Sequence, residues 1–437
     1  MIKPLAVISC PIDTFSGYGA RSRDFVTALY ELKKEEWDIK IIPQRWGNTP
    51  WGYIDQHEHK YGWMKPLYVQ QLTQQPDFWC QVTVPNEAQP IGKYNVLLTA
   101  GIETTVCDPG WIDGCNRMNI TLVSSEHAKK VFQESVFNEQ DQRTGQVRRT
   151  IKLERPVDVL FEGIDLTKYH YVDDEDMSET DLVTTLDEIP ESFCFLFVGH
   201  WLQGDLGEDR KNLGLTIKTF LETFKDQSKK PALILKTAKG TNSIMDRDEI
   251  LEKIDAIRKT VKAKELPNIY LLHGDLDDDD MNNLYNHYKV KAMLYLTKGE
   301  GFGRPLAEYY MSKKPALVSA WSGHMDFCSP EYAVLVQGEL TDIHPSAQAQ
   351  NMLIQGSKWF SANMKYAADK MKDMFENYNK YVDTAKRQSY FVKTNFSFEA
   401  MKTKLGTYLE AVPKPVALKL PKLTKINLPK LTKVSDS

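Results

Sequence analysis

The chain has 437 residues, of which 42% are hydrophobic and 26% charged, with a formal net charge of −4. That length is too great for one ordinary core and suits two or three domains. The charge excludes a wholly basic nucleic-acid binder, and no apolar run approaches the roughly 18 residues that a membrane span needs.

In chain order, the opening MIKPLAVISC carries a short apolar run that reads as a buried strand rather than a secretory signal. PIDTFSGYGARS follows as a glycine loop, then RDFVTALYELKK as a helix, which is the opening of an α/β domain. IKII (39–42), KYNVLLTA (93–100) and NITLVSS (119–125) read as further strands, the last leading into a helix over EHAKKVFQESV. DVLFEGID (158–165) closes this half. Between them, 46–79 is rich in aromatics, including Trp46, Trp51, Tyr53, Tyr61, Trp63, Phe78 and Trp79. Such a segment either packs a core or stacks on a sugar or base.

Residues 173–191 hold nine acids and no base, and read as an unstructured linker. FCFLFVGH (193–200) restarts the pattern, and PALILKTA, NIYLLHG, KAMLYLT and PALVSA continue it as strands separated by helix-length segments. GDLDDDDMNN (274–283) reads as a helix cap rather than a metal site, since acids favour the positive end of a helix. SFEAMKTKLGTYLEAV (397–412) reads as a closing helix. The tail 413–437 repeats LPKLTK and holds six lysines against one aspartate, so it reads as a flexible basic arm. Its expected contacts are nucleic acid, an acidic surface or a partner protein, with a passive solubilising tail as the alternative.

The expected organisation is therefore an N-terminal Rossmann-like domain (1–172), an acidic linker (173–191), a second Rossmann-like domain (192–385), a closing helical segment (386–412) and the tail (413–437). Each domain is a doubly wound parallel sheet, and the two face each other across a cleft, the default place for a ligand.

The most informative stretch is KGEGFGRPLAEYY (298–310). It sets Glu300 in a glycine loop after a strand. Pro305 suits the start of a helix, which places Glu308 in the first turn. Loop amides and a helix start favour a diphosphate, and a carboxylate beyond them can accept hydrogen bonds from a ribose diol. The plainer alternative is a tight turn with Glu308 complementing the helix dipole. Arg210 and Lys211, ahead of the helix after FVGH, add cations for the same phosphates, or else are ordinary surface charges. Gly17 and Gly19 let backbone approach a ligand. No Walker loop is present, and Ser22 and Gln44 stand where a dinucleotide dehydrogenase needs a glycine and an acid.

Together these stretches, in order over roughly 1–410, resemble the GT-B-fold glycosyltransferases of the retaining "group 1" type, related to glycogen synthase and sucrose synthase. The resemblance implies hexosyl transfer from a nucleoside-diphosphate sugar, with UDP or GDP the expected carrier, to a hydroxyl with retention of configuration. It implies no metal and no cofactor. Glu308 matches the ribose-holding glutamate, and Glu300 the one facing the donor sugar. Gly301, Phe302 and Gly303 match the loop near the diphosphate, Lys211 and Arg210 the basic cluster, and Gly17 and Gly19 the N-terminal donor loop. His200 stands where the family commonly has arginine. Glu103, in TAGIETTVCDPGW, stands nearest the family's usual histidine. Both are candidate sugar or acceptor contacts. The expected acceptor is a glycan or lipid-linked saccharide, or a hydroxylated DNA base. A non-catalytic nucleotide-sugar or polyanion binder on the same fold is the alternative. Six scattered cysteines without metal spacing point to a reducing, cytoplasmic setting.

Overall fold

The computed structural model describes residues 3–349 and 352–413, so the repeat tail lies, but for Pro413, outside the described residues. The first domain carries strands β1 (Leu5–Cys10), β2 (Asp38–Pro43), β3 (Phe78–Val82), β4 (Tyr94–Leu98), β5 (Ile120–Val123) and β6 (Val157–Val159). They form one parallel sheet in the order β2-β1-β3-β4-β5-β6. Every residue of β1 is buried, as a strand covered on both faces must be. A single parallel bridge from Ile41 to Tyr68 widens the sheet beyond β2.

The second domain carries β7 (Cys194–Val198), β8 (Ala232–Lys236), β9 (Ile269–Leu272), β10 (Val290–Tyr295), β11 (Ala316–Ser319) and β12 (Val334–Val336). These are again parallel, in the order β9-β8-β7-β10-β11-β12. The strand order reverses between β7 and β10. The crevice at the carboxyl ends of those two strands is where an open α/β sheet takes its ligand.

Three local expectations are corrected. FWCQV (78–82), where no strand is expected, is a central strand, β3, and Phe78 and Trp79 are buried in the first core, the packing alternative for these two rings. Gly17 and Gly19 do not lie in a free loop but in the first turn of helix α1 (Gly17–Lys33), whose cap is Ser16 accepting from Gly19 N. A Cβ on Gly19 would sit 2.3 Å from Thr14 O, so that glycine is required by packing, whereas nothing lies within 4 Å of one on Gly17. The acidic stretch also has structure. Thr180 caps a helix, Asp181–Asp187, on which Leu182 and Leu186 are buried. Lys289 Nζ donates to the carbonyls of Asp187 and Ile189 at 2.6 Å, closing the helix end. Apolar side chains four residues apart are enough to seat a helix whose other faces are acidic.

Two helices end the described chain. Asn379–Asn395 packs on the second domain, and Phe398–Glu410 returns to the first. The return is fixed by a parallel bridge between Ile164 and Ser397, by Lys402 to Glu31 at 2.7 Å, and by Tyr408 Oη to Val159 O at 2.9 Å. Among the described residues no helix is long and apolar enough to cross a membrane.

Candidate functional site

The site is built from the segments that follow β7 and β10. Asn212 takes a left-handed conformation (φ 54°), turning the chain into helix α2 (Leu213–Phe224), and its amide donates to Leu296 O at 3.1 Å. Asp209 accepts from Leu213 N at 3.0 Å, and Lys298 N donates to Arg210 O at 2.8 Å. The 209–212 turn is thereby tied to the β10 loop, and it delivers Arg210 and Lys211 onto Glu300.

Lys211 Nζ lies 2.5 Å from Glu300 Oε1. Arg210 Nη1 donates to Gly299 O at 2.8 Å and lies 3.4 Å from Glu300 Oε2. Glu300 and Lys211 are both buried. Burial raises the Glu300 pKa, but the charges of Lys211 and Arg210 and the Lys211 hydrogen bond outweigh it and hold the carboxyl down at about 2. The loop is propped from behind by Ser322 Oγ, which accepts from Glu300 N, and by Gly323 N, which donates to Glu300 O, each at 2.9 Å.

The turn faces the other domain. Glu103, beyond β4, reaches Arg210 at 3.7 Å. A Cβ on Gly299 would sit 1.9 Å from Glu103 O, and one on Gly301 2.6 Å from Ala100 O. Ser124 Oγ lies 3.2 Å from Gly301 O. The two backbones therefore touch at this point, and the glycines permit it. The Phe302 ring turns the other way, into the core against Phe327 and Phe396.

Glu308 is not in the first helical turn. Gly303, at φ 98°, is the cap of the short helix Arg304–Tyr309, so Arg304 rather than Pro305 takes the first position and Glu308 the fifth. Buried there, it is held by Arg304 Nε at 2.8 Å. The same guanidinium reaches across the cleft to Asp24 of α1 at 2.6 Å and stands 3.7 Å from Glu162. Burial pushes the Glu308 carboxyl up to about 7, against the pull of Arg304.

The structure thus gathers Glu300 and Lys211, both buried, and the half-buried Arg210 and Glu103 into one cluster, with Gly301 and Gly303 in the same loop and Glu308 just beyond it. Gly17 and Gly19 reach the cluster only indirectly, through Tyr18, whose hydroxyl lies 3.0 Å from Thr99 Oγ1 and accepts from Ala100 N. His200 is exposed, with Nδ1 3.3 Å from Ala238 O, and is not bonded to the cluster.

Sequence reasoning missed four participants. Arg304 and Asp24 are one pair. Asp278 is another residue, paired with Lys60 and Lys168 of the first domain at 3.2 Å each. Its neighbour Asp277 caps the helix Asp278–Asn286 as expected. His127 sits edge-on to Trp321 across the interface, with ring centroids 4.6 Å apart. Its Nε2 has no partner, and burial pushes its pKa down to about 4. Nothing in local spacing marks their contacts across the cleft, because those partners lie far away in the chain. Among the described residues, no group of three or more His, Cys, Asp or Glu is placed to hold a metal ion.

No family model matches the sequence, and no curated protein matches it either. Solved structures do. HepE of Anabaena in complex with UDP-glucose superposes with a TM-score of 0.60 at 12% identity, over 93% of this chain and 99% of that one. A glycosyltransferase from Rickettsia africae gives 0.60 at 13% identity, over 94% and 98%. The sucrose-phosphate synthase of Thermosynechococcus elongatus gives 0.54 at 13%, over 93% and 98%. At such identities the likeness establishes the architecture, and the chain has the GT-B fold.

Proposed function

We propose that this protein is a glycosyltransferase that moves a hexose or related sugar from a nucleoside-diphosphate sugar to a hydroxyl acceptor, with retention of configuration and without a metal ion. The observation that carries this reading is the cluster of Lys211 and Arg210 on the buried Glu300 at the strand-order reversal of the second sheet. It lies on a fold whose solved relative HepE binds UDP-glucose.

The chemistry follows from charge. Breaking the bond from sugar to phosphate leaves negative charge on the departing diphosphate. A preorganised cation pair in a water-poor site stabilises that charge, and removing one such donor typically costs about 3–4 kcal/mol. In this reading Lys211 and Arg210 exchange their carboxylate partners for the diphosphate. Glu300 is then free to orient hydroxyls of the donor sugar, and Glu308 accepts the ribose diol. The acceptor hydroxyl attacks from the face the diphosphate leaves, and passes its proton to that leaving group. UDP or GDP is the expected carrier. All six cysteines are buried and unpaired, in keeping with a reducing compartment.

The test is a panel of nucleotide sugars followed for release of the free nucleoside diphosphate, using the wild type, Glu300→Gln and Lys211→Ala. Turnover of one donor, lost in both variants, is expected. A protein that binds the donor but never releases diphosphate is a binding protein, and the enzymatic reading is then wrong.

A further inference from the structure

The aromatic-rich segment divides in two. Phe78, Trp79 and Tyr61 are buried in the first core. Trp46 and Trp51 are not. Trp46 is partly exposed, and Trp51 keeps 36% of its surface. Their loop is laid over the start of α1. Phe15 N donates to Pro50 O at 3.2 Å, Gly52 N to Asp13 O at 3.0 Å, and Thr14 bridges to Trp51. Trp46 stacks on Tyr18 with ring centroids 4.0 Å apart and planes 21° apart. The Arg45 guanidinium lies over the Trp51 ring, 4.8 Å from its centroid.

Tyr18 fixes where this surface ends. Its hydroxyl is held by Thr99 and Ala100, and Ala100 O is the atom against which Gly301 closes. A ladder of two stacked rings, Tyr18 and Trp46, therefore runs outward along the first domain from the point where the glutamate loop meets it, with Trp51 on the same loop. Packing alone does not require two tryptophans to remain solvent-accessible on a loop that also exposes Gln44, Asn48 and Gln56.

We propose that this ladder is the acceptor subsite, and that the acceptor is a saccharide; the proposal rests on the glycosyl-transfer reading above. A pyranose presents an apolar C–H face that packs on an indole or phenol ring, while its rim of hydroxyls needs neutral donors and acceptors. The loop offers both, since Gln44, Asn48 and Gln56 are exposed amides on the same segment. Residues 44–57 contain one cation, Arg45, and one acid, Asp55, which is already paired with Lys65 at 2.7 Å. A nucleic acid would be followed by a track of lysines and arginines along its phosphates, and residues 44–57 supply Arg45 alone. Arg45 is left to hold a hydroxyl or a single acidic group of the sugar.

The experiment uses the full chain. Short gluco-, galacto- and manno-oligosaccharides are titrated by tryptophan fluorescence and by saturation-transfer NMR. A duplex carrying hydroxymethylated bases serves as the contrasting acceptor. One saccharide series is expected to bind, with saturation reaching its C–H face. Trp51→Ala and Trp46→Ala should each weaken it by about tenfold, the loss of one stacking face. Trp51→Phe should restore most of the affinity, while UDP binding by calorimetry stays within about twofold of wild type in all three. Saccharide affinity unchanged in both alanine variants overturns the subsite. Binding or modification of the duplex, but not of any saccharide, overturns the acceptor class. UDP binding that persists through either result leaves the donor reading intact. Its absence in the wild type removes that reading without bearing on the fluorescence titration.

Discussion

In the proposed ribose-holding role, a Glu308 carboxyl whose pKa is brought near neutrality should make donor affinity a sharp function of pH. Burial lifts it from an ordinary 4.5 to about 7, with Arg304 opposing. If the ionised form is what receives the ribose hydroxyls, the free protein is competent only in its ionised fraction. That fraction is about one in eleven at pH 6 and about ten in eleven at pH 8, and apparent affinity scales with it. The dissociation constant for UDP-glucose, measured by calorimetry, should therefore rise about tenfold from pH 8 to pH 6. The pyrophosphate of a nucleotide sugar is esterified at both ends and has no proton to take up in this range, so the ligand adds no slope of its own. Glu308→Gln should bind more weakly at pH 8 and show no such slope. The same shift acts on folding. Between pH 4.5 and about 7 the folded state holds more protons than the unfolded one, so stability declines as pH rises through that window. The decline is about 3 kcal/mol, at about 1.4 kcal/mol per pH unit, and Glu308→Gln should abolish it. A wild-type affinity that stays flat from pH 6 to pH 8, or a glutamine variant that keeps the slope, would refute the reasoning.

Other perturbations test the remaining contacts. Lys211→Met leaves the buried Glu300 carboxylate without its nearest counter-charge and should cost about 3–5 kcal/mol in denaturant unfolding. Adding Glu300→Gln should recover most of that loss, and a single variant as stable as wild type would contradict the pairing. Gly299→Ala places a methyl group against Glu103 O, so it should widen the interdomain gap. Small-angle scattering should show a larger radius of gyration and diphosphate release should fall, with little change in melting temperature; an unchanged profile would show the closure to be looser than described. Asp278 is raised by burial but pulled down further by Lys168 and Lys60, to about 2. Its stabilisation is present above pH 3.8 and lost as pH falls through about 2, so Asp278→Asn should cost about 2 kcal/mol at pH 7 and progressively less below pH 3.

The fold was legible wherever a strand is an unbroken apolar run between breakers, as in LAVISC, FCFLFV and KAMLYL. FWCQV was not, because its aromatics continue a run that begins on the surface at Trp46, and composition alone does not separate a ring in a sheet from one on a loop. Glu300, Lys211 and Arg210 were legible because a glycine loop after a strand, and cations before a helix, are local patterns. The position of Glu308 was misjudged by one residue, enough to carry it past the first turn, because a positive φ at Gly303 starts the helix earlier than Pro305 suggested. Arg304 illustrates what no local pattern holds: two of its three carboxylates, Asp24 and Glu162, belong to the other domain.

The parallel bridge between Ile164 and Ser397 ties the outgoing and returning chain segments side by side. The two halves are thus bound like the covers of a book along one spine, rather than strung as beads on a thread. Sliding and separation are restrained by two adjacent tethers, while rotation about that line is the motion the connectivity leaves easiest. A few degrees of turning at the spine become a much larger displacement at the far margin.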